Sequence, residues 1–315
     1  MVDNTKFKLN DNGLIPTIAF GTGTSYFNRP DDVGEGLVKA VKAGFKLIDS
    51  AVMYGTEVGV GKGLRKVVED GLCKREDLFI TTKLAPSLLT FKEVVTMVDD
   101  SLRNLQIEYL DLMMIHYPGN STFSPKAKDD PNDPKANADG IMEMWEALQA
   151  CQEENKIKHI GVSNFTRRHI ERLIKNPKCK VVPAVNQIEF NPYMVDKDIF
   201  DVCRENNILV QSYAPIGSGS RKPVNLTQVD ENWNLLEDSI LRGIAAKYNC
   251  TVGQVCIGYA IAKGVAVVTK TEKEERMFEN LGSIEIAGKL SKEDIEKIDS
   301  LNKNMRKFWN PYLVA

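Results

Sequence analysis

This sequence predicts an α/β fold, a (β/α)8 barrel of the TIM type, and three observations predict it. Eight short apolar runs bounded by polar residues recur along the 315 residues, as strands buried on both faces of a parallel sheet must. Amphipathic stretches with helical spacing lie between them, and eight strands alternating with helices point to a barrel ahead of a doubly wound open sheet. Before the first run, residues 6–16 alternate in polarity around Asp11-Asn-Gly13, a strong hairpin signal. That hairpin is expected to plug the barrel bottom. A rule of ~150 residues per domain would divide the chain in two, but barrels override it, and residues 1–315 are read as one domain.

Taken in order, the expected strands are 18–22, 46–49, 78–83, 109–116, 159–164, 184–189, 209–213 and 266–270. Helical spacing is clearest at Val94, Val98, Leu102 and Leu105, and at Ile141, Met144, Trp145 and Leu148. Pro30-Asp-Asp and Asn164-Phe-Thr166 mark helix starts, because short polar side chains take up orphan backbone donors. Gly59-Val-Gly-Lys-Gly63 resembles a phosphate loop, but no Ser or Thr follows Lys62 and no strand precedes it at the right place. Its glycines are expected to let a helix pack closely on the barrel. Gly161-Val-Ser-Asn-Phe165 lacks the second glycine of a nucleophile elbow. Residues 118–139 and 216–232 exceed ordinary loop length and are expected to act as lids or binding loops.

Composition removes several function classes. Lys plus Arg total 41 against 43 Asp plus Glu, a net charge of −2, so the basic footprint of a nucleic-acid binder is missing. No apolar run approaches a membrane span, and the first residues lack the apolar core of a signal peptide. The expected location is cytoplasmic. Six scattered cysteines without a CxxC pair are expected to be buried hydrophobes. Three histidines and no HExxH argue against a metal site.

The chemistry gathers at the ends of the expected strands. Asp49, Lys83 and His116 each end one, and Tyr54 follows Asp49 in the next loop. In a barrel, side chains at the C-terminal strand ends share one mouth, and titratable groups are costly to bury there without a use.

With Asp49-Ser-Ala-Val-Met-Tyr54-Gly-Thr-Glu57, Thr81-Thr-Lys83 and Leu112-Met-Met-Ile-His116-Tyr-Pro118 in place, the chain resembles the aldo-keto reductase superfamily. The resemblance continues through Ile160-Gly-Val-Ser-Asn-Phe165, Val185-Asn-Gln-Ile-Glu-Phe190 and Ser212-Tyr-Ala-Pro215, over essentially the whole chain. It implies reduction of a small-molecule carbonyl substrate, an aldehyde or ketone, by hydride transfer from a nicotinamide cofactor. Tyr54 would be the general acid. Lys83 would stabilise its phenolate, Asp49 would hold Lys83, and His116 would orient the carbonyl; no metal is needed. Tyr26, Tyr54, His116, Tyr117 and Trp309 would line the substrate pocket. For the cofactor, the resemblance implies Thr24, Asp49, Ser163, Asn164 and Gln187, with Tyr213 stacking on the nicotinamide, and Pro215, Ile216 and Ser218 in the adjoining loop. Lys270, Thr271, Arg276, Glu279 and Asn280 would form a site for the adenosine 2′-phosphate, which favours NADPH, with NADH as the weaker alternative. Glu272 would oppose that phosphate. Aldose-reductase-like members carry Trp where this chain has Ser25 or Tyr26, and again at Tyr117, while the turn Gly21-Thr-Gly-Thr24 is closer to fungal-type ketoreductases. A monomer or small homo-oligomer is expected. Two other readings stay open: a nicotinamide-binding sensor subunit with little turnover, and a Schiff-base barrel aldolase acting through Lys83.

Overall fold

Strands β1 (Lys6–Lys8) and β2 (Leu14–Pro16) pair antiparallel, with Lys6 opposite Pro16. Asn12 takes the left-handed conformation (φ 71°) at the tip, and the Gly13 N–H donates to Asp11 Oδ1 at 2.9 Å. The computed structural model describes residues 5–120, 134–217 and 234–314. Leu9 and Ile15 of the hairpin bury against Ala19, Leu47, Phe79, Leu112, Met114 and Val185. The hairpin therefore forms a floor beneath these residues. It is fastened by Asp11 Oδ2, 2.5 Å from His159 Nδ1, and the His159 ring stacks on Phe79.

That floor belongs to a closed barrel of eight parallel strands: β3 (Ile18–Gly21), β4 (Leu47–Asp49), β5 (Phe79–Lys83), β6 (Leu110–Ile115), β7 (Ile157–Ser163), β8 (Val185–Glu189), β9 (Leu209–Tyr213) and β10 (Ala266–Thr269). Each falls within an expected strand or differs by a residue or two at its ends. Alternation along the strands explains the site. Leu47, Phe79, Leu112 and Met114 pack inward on the hairpin, while Ile48, Ile80, Met113 and Ile115 join the outer core beneath the helices. Two residues beyond an inward residue lies the next inward one, which carries Asp49, Lys83 and His116 to the interior at the C-terminal rim.

The helices are α1 (Pro30–Ala43), α2 (Glu57–Glu69), α3 (Phe91–Leu105), α4 (Pro134–Glu153), α5 (Arg167–Lys175), α6 (Lys197–Glu205), α7 (Ser239–Tyr248), α8 (Val252–Ala262), α9 (Glu274–Lys289) and α10 (Lys292–Asp299). Pro30 opens α1, and Thr166 caps α5, as their sequences predict. α7 and α10 are additions to the eightfold alternation. The glycines at 59–63 serve a different purpose from the one expected. A Cβ on Gly59 would lie 1.7 Å from the Pro30 carbonyl oxygen, and one on Gly63 would lie 2.8 Å from the Gly34 oxygen, both on α1. At Gly61 it would meet the Asn104 carbonyl of α3 at 2.4 Å. These glycines bring helix to helix, not helix to barrel. Gly59→Ala must push two backbones apart, and the expected loss is at least the ~1–3 kcal/mol of an overpacked core, read as a lower denaturant midpoint; an unchanged midpoint would contradict the contact. Cys151, Cys203 and Cys256 are buried as expected, whereas Cys73, Cys179 and Cys250 are only partly so. Among the described residues, no helix is long and apolar enough to cross a membrane.

Candidate active site

Lys83 is fully buried, and its ammonium is completely engaged. Nζ donates to both oxygens of Asp49, at 2.7 and 2.8 Å, and to the Ser50 carbonyl at 2.9 Å. Behind this pair, the hydroxyls of Thr22, Ser50 and Thr56 bond to one another within 3.0–3.3 Å, tying the ends of β3 and β4 to the start of α2. Glu57, in the first turn of α2, accepts from Thr82 of β5 at 2.8 Å and from Ser101 of α3 at 2.9 Å. The Tyr54 loop is thus held at both of its ends.

Tyr54 lies over the ammonium, with Lys83 Nζ 5.4 Å from its ring centroid. Gly23 packs against the same ring, where a Cβ would come within 3.2 Å of it. The three donors of Lys83 point elsewhere, and burial, aided by the Asp49 charge, drives the Tyr54 hydroxyl well above its ordinary range. This phenol keeps its proton. Burial also lowers Lys83, against the pull of Asp49. His116 stands edge-on to Tyr54 at 5.8 Å, and burial and the Lys83 charge push it well below its usual value, so it is neutral. Trp309 closes on His116 at 5.1 Å and on Tyr117 at 5.2 Å, and the Tyr117 hydroxyl donates to the Asn310 carbonyl.

Tyr26 does not share that wall. It is turned into the core beneath α1, against Phe20 and Gly36. Its neighbour Phe27, which sequence reasoning missed, packs edge-on to Tyr54 at 5.1 Å and is 38% exposed at the mouth. The 3-10 turn Thr24–Tyr26, entered through a left-handed Thr24 (φ 53°), decides which of the two aromatics faces outward. Thr24 is exposed on this turn.

The residues expected to hold the nicotinamide share one rim. Asn164, left-handed at φ 63°, donates to the His116 carbonyl at 3.1 Å and accepts from the Tyr213 hydroxyl at 2.7 Å. Ser163 donates to the Gln187 carbonyl, and Gln187 Nε2 reaches Asp49 Oδ2 at 2.8 Å. The Tyr213 ring meets Phe308 edge-on at 5.4 Å. Pro215 and Ile216 lie on the turn from Ala214 to Gly217, and Ser218 lies outside the described residues. So do most of the two long loops.

Lys270 follows β10 and is exposed, its ammonium lowered by desolvation against the pull of Glu272, and Arg276 is exposed in the first turn of α9. Thr271 accepts from the Lys273 N–H. Glu279 is engaged by Thr251 at 2.5 Å, at the start of α8, and Asn280 lies beside it on α9, partly buried. Glu272, expected to oppose a phosphate, is 3.5 Å from Arg29 Nη1, on the loop after the neighbouring strand β3.

The apolar tail, which the sequence offers as a pocket wall through Trp309 and Tyr312, is held as a strap from Arg306 to Tyr312 by contacts the sequence did not signal. The buried Glu189 carboxylate accepts the backbone N–H groups of Lys307 and Phe308, and Arg306 pairs with Asp196 at 2.9 Å. Burial pushes the Glu189 carboxyl up and the Lys307 ammonium down to about 8. These contacts pin Phe308 and Trp309 over Tyr213 and His116.

A family model described as the Aldo/keto reductase family matches residues 17–303. Estradiol 17 beta-dehydrogenase 5 of Mus musculus is 35% identical over 304 residues, covering 95% of this chain and 92% of that protein. Dihydrodiol dehydrogenase 3 of Bos taurus is 36% identical over 307 residues, covering 96% and 92%. The crystal structure of a Bombyx mori aldo-keto reductase in complex with NADP superposes with a TM-score of 0.83 at 31% identity, covering 96% of this chain and 94% of that one.

Proposed function

The chain belongs to the Aldo/keto reductase family, and from that premise we propose that it is an NADPH-dependent reductase of small aldehydes or ketones in which Tyr54 donates the proton. The observation that carries this reading is the convergence of the Tyr54 phenol, the His116 imidazole and the buried Lys83–Asp49 pair at one rim of the barrel. The residues present suit a nicotinamide cofactor. The amides of Gln187 and Asn164 and the ring of Tyr213 occupy neighbouring strand ends, and Lys270 and Arg276 flank the N-terminus of α9. Bound there, the cofactor supplies the hydride. The chain's own groups do the rest. Tyr54 gives its proton to the carbonyl oxygen, which His116 orients as a neutral imidazole. Lys83 and Asp49 fix the field around that oxygen, and Phe27, Tyr117 and Trp309 wall the substrate from water.

The test is NADPH consumption with a panel of aldehydes and ketones. Tight NADPH binding without consumption would favour the sensor reading. Borohydride trapping of substrate on Lys83 would favour the aldolase, a reading opposed by the burial and three hydrogen bonds of that amine.

Cofactor choice makes a separate prediction. A charge-assisted contact to the 2′-phosphate is worth roughly 10- to 150-fold in affinity. Arg276→Ala is therefore expected to raise the NADPH dissociation constant by that factor and leave NADH unchanged. Arg29→Ala releases Glu272 and is expected to weaken NADPH alone, by a few-fold at most, because the pair is half-exposed. Fluorescence titrations decide both; equal losses for NADPH and NADH would overturn the phosphate assignment.

A further inference from the structure

Gln211 is fully buried on β9, facing the barrel interior, where branched apolar side chains are the usual filling. It is paired in register with Gln187 on β8. The orientation of both amides is set by one acceptor. The Asp49 carboxylate, which chelates Lys83, only accepts, so the group that Gln187 brings to it at 2.8 Å is Nε2. The second hydrogen of that nitrogen goes to Gln211 Oε1, also at 2.8 Å. The nitrogen of Gln187 is thereby committed inward, and its carbonyl oxygen is the end left for the mouth. Gln211 accepts this arrangement at its own expense: its Nε2 is buried with no partner among the described residues. Turning the Gln211 amide over would set its nitrogen against the nitrogen of Gln187, so Asp49, through Gln187, dictates the unfavourable orientation.

We propose that Gln211 is a positioning residue. It holds the Gln187 amide with its nitrogen on the Asp49–Lys83 pair and its oxygen toward the nicotinamide carboxamide, so that cofactor seating and the proton-donating machinery share one rigid chain of hydrogen bonds. This rests on the cofactor reading above. Without Gln211, one N–H of Gln187 loses its acceptor and the amide is held by the Asp49 bond alone.

The probes are NADPH and 2′-phospho-ADP-ribose, which keeps the phosphates and lacks the carboxamide. Gln211→Met keeps the volume and removes the acceptor. It is expected to weaken NADPH about 3- to 10-fold, the scale of one neutral hydrogen bond, and to leave the fragment unchanged. Equal weakening of both ligands, or no weakening of NADPH, overturns the proposal. A second measurement uses the wild-type protein. With both hydrogens bonded, the Gln187 side-chain NH2 should exchange with solvent at least ~10-fold more slowly than exposed glutamine amides in the same spectrum; fast exchange overturns it equally. Wild-type protein that binds the fragment as tightly as NADPH would instead remove the nicotinamide site itself, a different failure.

Discussion

Tyr54→Phe is expected to bind NADPH as the wild type does and to lose at least ~10²-fold in turnover, within the 10²–10⁴ range of a lost general acid. The ring remains to pack on Gly23, Phe27 and His116, so folding should be untouched. Single-turnover reduction of a reactive aldehyde reads the loss directly, and near-wild-type rates would remove Tyr54 from the role. The pH dependence adds a sign. Burial and the Asp49 charge both raise the Tyr54 hydroxyl, so the proton-donating form persists through neutral and mildly alkaline pH. Reduction should decline only at strongly alkaline pH, while oxidation of the alcohol, which needs the phenolate, should rise with pH. Asp49→Asn removes the raising charge and unmasks Lys83. Both changes lower the phenol, so the alkaline decline in reduction should move to lower pH.

Lys83→Met is expected to cost about 3–5 kcal/mol in folding stability, the range for leaving a buried charge without its partner. Asp49 is buried and accepts two bonds from this ammonium. In the variant its carboxyl would fold most easily when protonated, which places its folded pKa above its unfolded one. The folded state then binds more protons, and the deficit should shrink as the pH falls toward the carboxylate range. Adding Asp49→Asn should restore part of the lost stability at neutral pH without restoring turnover. Denaturant melts of the single and double variants at two pH values test this. A deficit that ignores both pH and the second substitution would show that packing, not charge, is what Lys83 supplies.

Much of the barrel was legible because strands buried on both faces announce themselves as continuous apolar runs. The period of two then fixes which of their last residues point inward, and this brings Asp49, Lys83 and His116 together. What stayed hidden depends on partners distant in sequence. Gly59, Gly61 and Gly63 signalled close approach, but their sequence did not say that α1 and α3 were the neighbours. Lys83 lies beneath Tyr54, but that the Ser50 carbonyl takes its third hydrogen was not legible, because a backbone acceptor carries no residue signature. Tyr26 and Phe27 are adjacent aromatics whose placement turns on a left-handed Thr24. Gln211 left a trace, a glutamine inside an apolar run at inward parity. Glu189 reaches Lys307 across 118 positions, with no local mark on either.

The hairpin at the base has a consequence for traffic. With Leu9 and Ile15 sealing the floor and Asp11 fastened to His159, the barrel is a blind-ended well. On the proposed function, cofactor, substrate, product and the proton that would replenish Tyr54 would all use one doorway. Whatever sits nearest the opening would then set the order: the deeper ligand would enter first and leave last, and Tyr54 would regain its proton only once product had cleared the passage. Solvent viscosity and product concentration, rather than buffer strength, should therefore govern how quickly the site is reset.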